Sequence, residues 1–195
     1  PWKVVYSECP RASKNIYLHG ENMIKDAIED AEDENRKKKF LDSLMNLYDK
    51  RIEYFDQEGY VTGKKALDLL NHGEKSAENL KKVYDLLAKS IDMRGEESSA
   101  AVLVNYMNLS NSLHKNGIIE DKQILDDYSL TLKLVESQLE EDPDHKMLTR
   151  AKETIDKIFE NSGAATCENL ISLYKPRFEE NKEDLETVNK IIGLL

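Results

Sequence analysis

Four histidines, two cysteines and 38 acidic side chains are the residues of this chain best suited to holding a metal, and they include its foremost candidates for attacking a carbon or moving a proton. The histidines are His19, His72, His114 and His145. No two stand three or four apart, and neither His-Glu-x-x-His nor Cys-x-x-Cys occurs, so no helix face offers a pair of metal ligands. His145 follows Glu140, Glu141, Asp142 and Asp144, but these residues straddle a helix break and should be exposed. Asp56-Gln57-Glu58-Gly59 lacks the alternating ligands and the distal Glu of a calcium loop and reads as a turn. There is no glycine-rich phosphate loop and no Gly-x-Ser-x-Gly elbow. Carboxylate pairs abound, as so acidic a chain makes inevitable, and none is singled out for acid–base work. Cys9 and Cys167 fit neither a disulfide framework nor a metal signature; the expectation is buried or half-buried thiols. The residues therefore point to binding, with no catalytic residue, metal or cofactor expected.

The elements that would position a binding surface are helices, because nearly every segment has helical period and none alternates as a strand. Residues 1–9 read as a helix that stops at Cys9-Pro10. Further helices are expected over about 12–30, 33–55, 60–71, 77–93, 97–116, 120–141, 144–161 and 166–180, with a tenth from about 183. The helix over 33–55 carries the stripe Phe40, Leu41, Leu44, Leu47, Tyr48, Arg51, Ile52 and Phe55. Asn71-His72-Gly73 offers a left-handed glycine cap, Ser76 an N-cap, and Asp142-Pro143 a stop. Pro176 reads as a kink or early stop. Alternate helices start near 12, 59, 97, 144 and 183, at intervals of roughly 38–47 residues, against about 34 for a standard helix–turn–helix repeat. The expected hairpins are 12–55, 60–93, 97–141 and 144–180, with half-units at 1–9 and 183–195, in one domain over 1–195.

Composition narrows the partner. The 195 residues are 39% hydrophobic and 34% charged, a thin core under a charged surface, and the net charge of −10 opposes phosphate backbones and anionic lipid. Nucleic acid is not an expected partner. Arg36-Lys37-Lys38-Lys39 follows Glu29, Asp30, Glu32, Asp33 and Glu34, and helical pairing accounts for it. No apolar run is long enough for a membrane helix, so no membrane insertion is expected.

Tyr106-Met107-Asn108-Leu109-Ser110-Asn111-Ser112-Leu113-His114-Lys115-Asn116-Gly117 has the spacing of a first tetratricopeptide helix: aromatic, Leu-small, Leu, then Gly. Together with Cys9–Tyr17, Leu47–Phe55, Gly59-Tyr60-Val61 and Cys167–Tyr174 followed by Pro176 and Phe178, it resembles the irregular, uncharacterised tetratricopeptide-repeat proteins of gut bacteria. The resemblance implies an all-α, tetratricopeptide-like solenoid of helical hairpins, a right-handed superhelix of nine to ten helices. It also implies an exported protein of the periplasm or cell envelope, and a fragment of a longer chain. In such a stack the first helix of each hairpin lines the concave face. Residues a turn apart there point one way, grouping Met107, Asn108, Asn111 and His114, and likewise Tyr17, Glu21 and Ile24. Asn111 falls where related repeats place an Asn that holds a peptide's terminal carboxylate. Met107 stands where a basic partner would be needed, so a mixed polar and apolar groove for an extended or helical segment is expected. The expected function is non-catalytic binding of a protein or peptide. Alternatives are a structural spacer that stacks end to end on further repeats, and an accessory protein binding a small ligand or serving a glycan system.

Overall fold

The computed structural model describes residues 1–180, and the helix expected from 183 lies outside them. Among the described residues the fold is all-α: α1 (Trp2–Glu8), α2 (Asn15–Glu29), α3 (Glu34–Phe55), α4 (Glu58–His72), α5 (Ala77–Arg94), α6 (Ala100–Lys115), α7 (Asp121–Glu141), α8 (Lys146–Glu160) and α9 (Cys167–Glu180). They fall into two compact units, Pro1–Ser98 and Ser99–Leu195.

Capping residues set several starts. Asp33 accepts from the backbone N–H groups of Asn35 and Arg36 at 3.1 and 3.2 Å, which orients α3. Ser76 does the same for α5 through Asn79 and Ser99 for α6 through Val102. The basic run of α3 is satisfied differently from the expected pairing. The helix begins only at Glu34, so Lys37 pairs with Glu34 at 2.8 Å, Lys38 reaches Glu74 on the next hairpin at 3.5 Å, and Asp33 serves as the cap.

In the first unit each helix packs on its sequence neighbour. Helix α1 docks through Trp2, whose Nε1–H donates to the Ile16 carbonyl at 2.8 Å. Trp2 stacks on Tyr6, and Tyr6, Tyr17 and Phe55 continue edge to face. The closeness depends on Gly20: a Cβ there would lie 2.2 Å from the Trp2 ring and 2.8 Å from Leu47. The α3 stripe buries Leu41, Leu44, Leu47 and Tyr48, each aliphatic side chain contributing about 1.5–3 kcal/mol.

Helix α4 starts before the expected turn at Gly59, which lies buried in its first turn. The Gly59 carbonyl accepts from Ser90 Oγ at 2.8 Å, and an added Cβ would meet Met93 and Arg94 at 3.0 Å. At the other end Gly73 is extended, at φ −83° and ψ 168°, so it is not a left-handed cap. Glycine is needed there for space, because a Cβ would come within 2.4 Å of the Leu69 carbonyl.

In the second unit α6 packs on both α7 and α8, and α9 packs on α7. Tyr128 and Phe159 stack at 4.0 Å between centroids. Helix α9 runs on past Pro176 to Glu180, so the proline is not an early stop. Cys9 follows α1 and Cys167 opens α9; both are exposed, against the expected burial, because each stands at a helix end away from the packed stripes.

Candidate functional site

Two successive hairpins of the first unit meet through charge. Glu21 and Lys25, one turn apart on α2, face Lys64 and Asp68, one turn apart on α4, and α3 supplies Tyr48 and Arg51 from behind. Glu21 is only 4% exposed. Its Oε1 accepts from Lys64 at 2.6 Å and from Lys25 at 3.0 Å. Lys25 also reaches Asp68 at 2.8 Å, and the Tyr48 hydroxyl donates to the same Asp68 carboxylate. Arg51, 2% exposed, donates from Nη2 to Gln57 Oε1 at 2.9 Å, while its Nη1 stands 3.9 Å from Glu21 Oε2. Arg51 Nε and Nη1 and Glu21 Oε2 have no hydrogen-bond partner among the described residues.

Three cations thus oppose two carboxylates in a largely dry setting. Burial alone would raise the Glu21 carboxyl, but the hydrogen bonds and charges of Lys64 and Lys25 outweigh it and hold it below the usual carboxylate range. Burial likewise disfavours charge on Lys25, and Asp68 and Glu21 reverse that, raising the ammonium above its ordinary value. Tyr48 is raised by burial and by Asp68, so it stays a donor. A carboxylate held low and a lysine held high are both far from the range in which a general acid or base works at neutral pH. The cluster is thus held in its charged form by its own members.

Its outer edge is Tyr60, 45% exposed on α4. Arg51, Lys64 and Arg94 all approach its ring, at 5.6, 5.9 and 5.5 Å from the centroid. Tyr60, Gln57, Met93 and Arg94 share a cavity of about 520 Å³. Asp56 also lines it, and alone among the described non-glycine residues has a positive φ, 47°. A second concavity, about 790 Å³, is lined by α3, the end of α4 and the start of α5, with Leu41, Met45 and Leu69 alongside Asp42, Glu74 and Lys82.

The expected binding residues distribute unevenly. Tyr17 is fully buried, its hydroxyl donating to the Pro10 carbonyl at 3.1 Å and its pKa raised to about 12 by burial and by Tyr6. Glu21 is central to the cluster, and Ile24 is half-buried on the same helix. On α6, Met107 is fully buried in the core, Asn108 is exposed, and Asn111 and His114 are half-buried. Tyr17 and Met107 therefore serve the core and present no ligand surface. His114 Nε2 bonds Asp121 Oδ1 at 2.7 Å, and His114, first among its causes, lowers the Asp121 carboxyl. The Asn111 and His114 side chains also keep one buried polar atom each, Oδ1 and Nδ1, without a hydrogen-bond partner among the described residues.

The second unit has its own buried polar junctions. Asp127 accepts from Tyr106 at 2.7 Å, Ser110 at 2.6 Å and Gln123 at 2.9 Å. Tyr128 donates to Asp156 at 2.7 Å, so the 3.0 Å contact with Tyr174 takes its proton from Tyr174. Tyr48–Asp68, Tyr106–Asp127 and Tyr128–Asp156 are one device: a tyrosine reaching a carboxylate on the next helix.

Sequence reasoning missed Lys25, Tyr60, Lys64 and Asp68. One signal was available in Arg51, a charge inside the apolar stripe of α3, where an unpaired guanidinium would be costly. Asp68 and Asp127 sit the same way among buried neighbours.

Among the described residues no group of three or more His, Cys, Asp or Glu could hold a metal ion, and no helix is long and apolar enough to cross a membrane. Comparison with protein-family models, with curated proteins and with solved structures finds no match.

Proposed function

We propose that this chain is a non-catalytic scaffold whose stacked helical hairpins, arranged in a tetratricopeptide-like way, bind a protein or peptide segment. The observation that carries the reading is the α2–α4 seam. First helices of successive hairpins are cross-linked by Lys25–Asp68 and Lys64–Glu21, and this presents half-exposed lysines beside the exposed Tyr60. Aromatic and cationic groups on a rigid, internally bonded base are the kind of anchors that dominate binding energy at protein interfaces. In the second unit α6 packs on both α7 and α8, which fits hairpin-on-hairpin stacking there.

A peptide-library screen tests the reading, with affinities of the hits measured by fluorescence polarisation. Tyr60→Ala and Lys64→Ala should each weaken a true ligand about tenfold or more while leaving the helical circular dichroism intact. Failure of every peptide to bind, or binding by both variants as tight as that of the unaltered protein, would overturn the assignment of this surface.

A further inference from the structure

Asn116 and Gly117 end helix α6, both exposed, and form the only Asn-Gly pair in the sequence. Asn116 Nδ2 donates to the Ser112 carbonyl at 2.7 Å, and its own backbone N–H donates to the same carbonyl at 3.2 Å. Gly117, at φ +67°, donates its N–H to the His114 carbonyl at 2.8 Å. In an Asn-Gly pair the glycine nitrogen meets the least obstruction in reaching the asparagine side-chain carbon, because no Cβ stands beside it.

We infer that Asn116 is a site of spontaneous deamidation, shut while the α6 cap is closed and open when the cap frays. The Gly117 nitrogen loses its proton to solvent and attacks Asn116 Cγ. The Cγ–Nδ2 bond breaks, and Nδ2 takes up a proton and leaves as ammonia. Water then opens the resulting succinimide at either carbonyl, giving aspartate or isoaspartate. One water enters, one ammonia departs, and nothing is oxidised or reduced. In the native cap both reacting groups are engaged, the N–H on His114 and the amide on Ser112, so reaction requires local opening.

The conversion alters the cap that controls it. A carboxylate has no proton for the Ser112 carbonyl, and it places negative charge at the negative end of α6. Isoaspartate also lengthens the main chain at the turn into α7. Asn161 is the internal control: it caps α8 with φ −91° and ψ 6°, its Nδ2 donates to the Lys157 carbonyl at 2.7 Å, but Ser162 follows it.

The test incubates the protein at mildly alkaline pH with and without denaturing urea and follows the amide-to-acid mass gain by peptide mapping. In urea, Asn116 should convert about tenfold or more faster than Asn161, and about tenfold or more faster than Asn116 in the folded protein. Asn116→Asp, as the product, should lower Tm by about 2–4 °C, the shift expected from losing one helix cap in a chain of this length. Equal rates at Asn116 and Asn161 in urea would remove the site. Equal rates at Asn116 with and without urea would remove the gate, and an unchanged Tm would remove the consequence.

Discussion

Replacing Glu21 with Leu tests the central cluster most directly. Glu21 accepts from two lysines and faces Arg51, but the three cations lose different amounts when it goes. Lys25 keeps Asp68 at 2.8 Å. Lys64 loses its carboxylate but is 28% exposed along its side chain and can swing into water. Arg51 retains Gln57 and cannot escape, with only 3% of its side chain exposed. Stranding one partner of a buried ion pair costs about 3–5 kcal/mol, and the two lysines' freedom places this case near about 3 kcal/mol. That is a large part of the total of about 5–15 kcal/mol available to a folded domain. The Tm should fall by about 6–12 °C, at about 2–4 °C per kcal/mol for this chain length.

The double variant Glu21→Leu with Arg51→Met separates this account from simple loss of packing. With both Glu21 and Arg51 gone no guanidinium is left stranded beside the remaining Lys25–Asp68 pair, and the double variant should be more stable than Glu21→Leu alone. Urea unfolding followed by circular dichroism, with a common slope, gives the coupling energy, expected at about 2–3 kcal/mol. A cost for Glu21→Leu below about 1 kcal/mol, or a double variant costing the sum of the two singles, would refute the reasoning.

Two further outcomes follow from the same geometry. Gly20→Ala drives a methyl into the Trp2 ring and Leu47, so it should cost about 1–3 kcal/mol and shift the emission of the single tryptophan to the red; unshifted emission would show that α1 is not seated on α2 as described. For pH, Glu21 is lower in the folded state, so its contribution is present above the unfolded value of about 4.3 and is lost as pH falls through the folded one; Lys25 is higher, so its contribution is present below about 10.4 and is lost as pH rises through its folded value. The urea midpoint should therefore be flat at neutral pH and fall on both sides, with Glu21→Gln flattening the acid limb; an unchanged acid limb in that variant would count against the cluster.

The helices were legible because their signals are local. Leu41, Leu44, Leu47 and Tyr48 repeat at helical spacing, Ser76 caps, and Asp142 stands before a proline, and each needs only its own segment to act. The glycines were misread for the complementary reason. Gly59 looked like a break and is helical, and Gly73 looked like a left-handed cap and is extended. In both, what requires glycine is close approach: Met93 and Arg94 of α5 for one, the Leu69 carbonyl one turn back together with Asn79 of α5 for the other. A close approach from elsewhere leaves no periodic trace.

The site was legible in the same limited way. Glu21 was placed on a common face with Tyr17 and Ile24, which is correct for one helix, yet Tyr17 turns into the core and Glu21 turns toward α4. A single helix states which residues share a side; only its neighbours decide whether that side meets water, apolar packing or countercharge. Arg51 shows what can be recovered. A guanidinium at a core position costs too much unless acceptors surround it, so the residue announces a polar cluster before its partners are known. Tyr48, Tyr106 and Tyr128 extend the argument, since each is spaced as an apolar core residue and each spends its hydroxyl on a carboxylate of the next helix. Apolar stripes tolerate sliding by a turn, whereas the buried Tyr48–Asp68 and Tyr106–Asp127 pairs do not, because a shifted register leaves hydroxyl and carboxylate dry and unpaired. The polar pairs therefore fix which turn of one helix meets which turn of the next, a specification that the apolar pattern alone lacks.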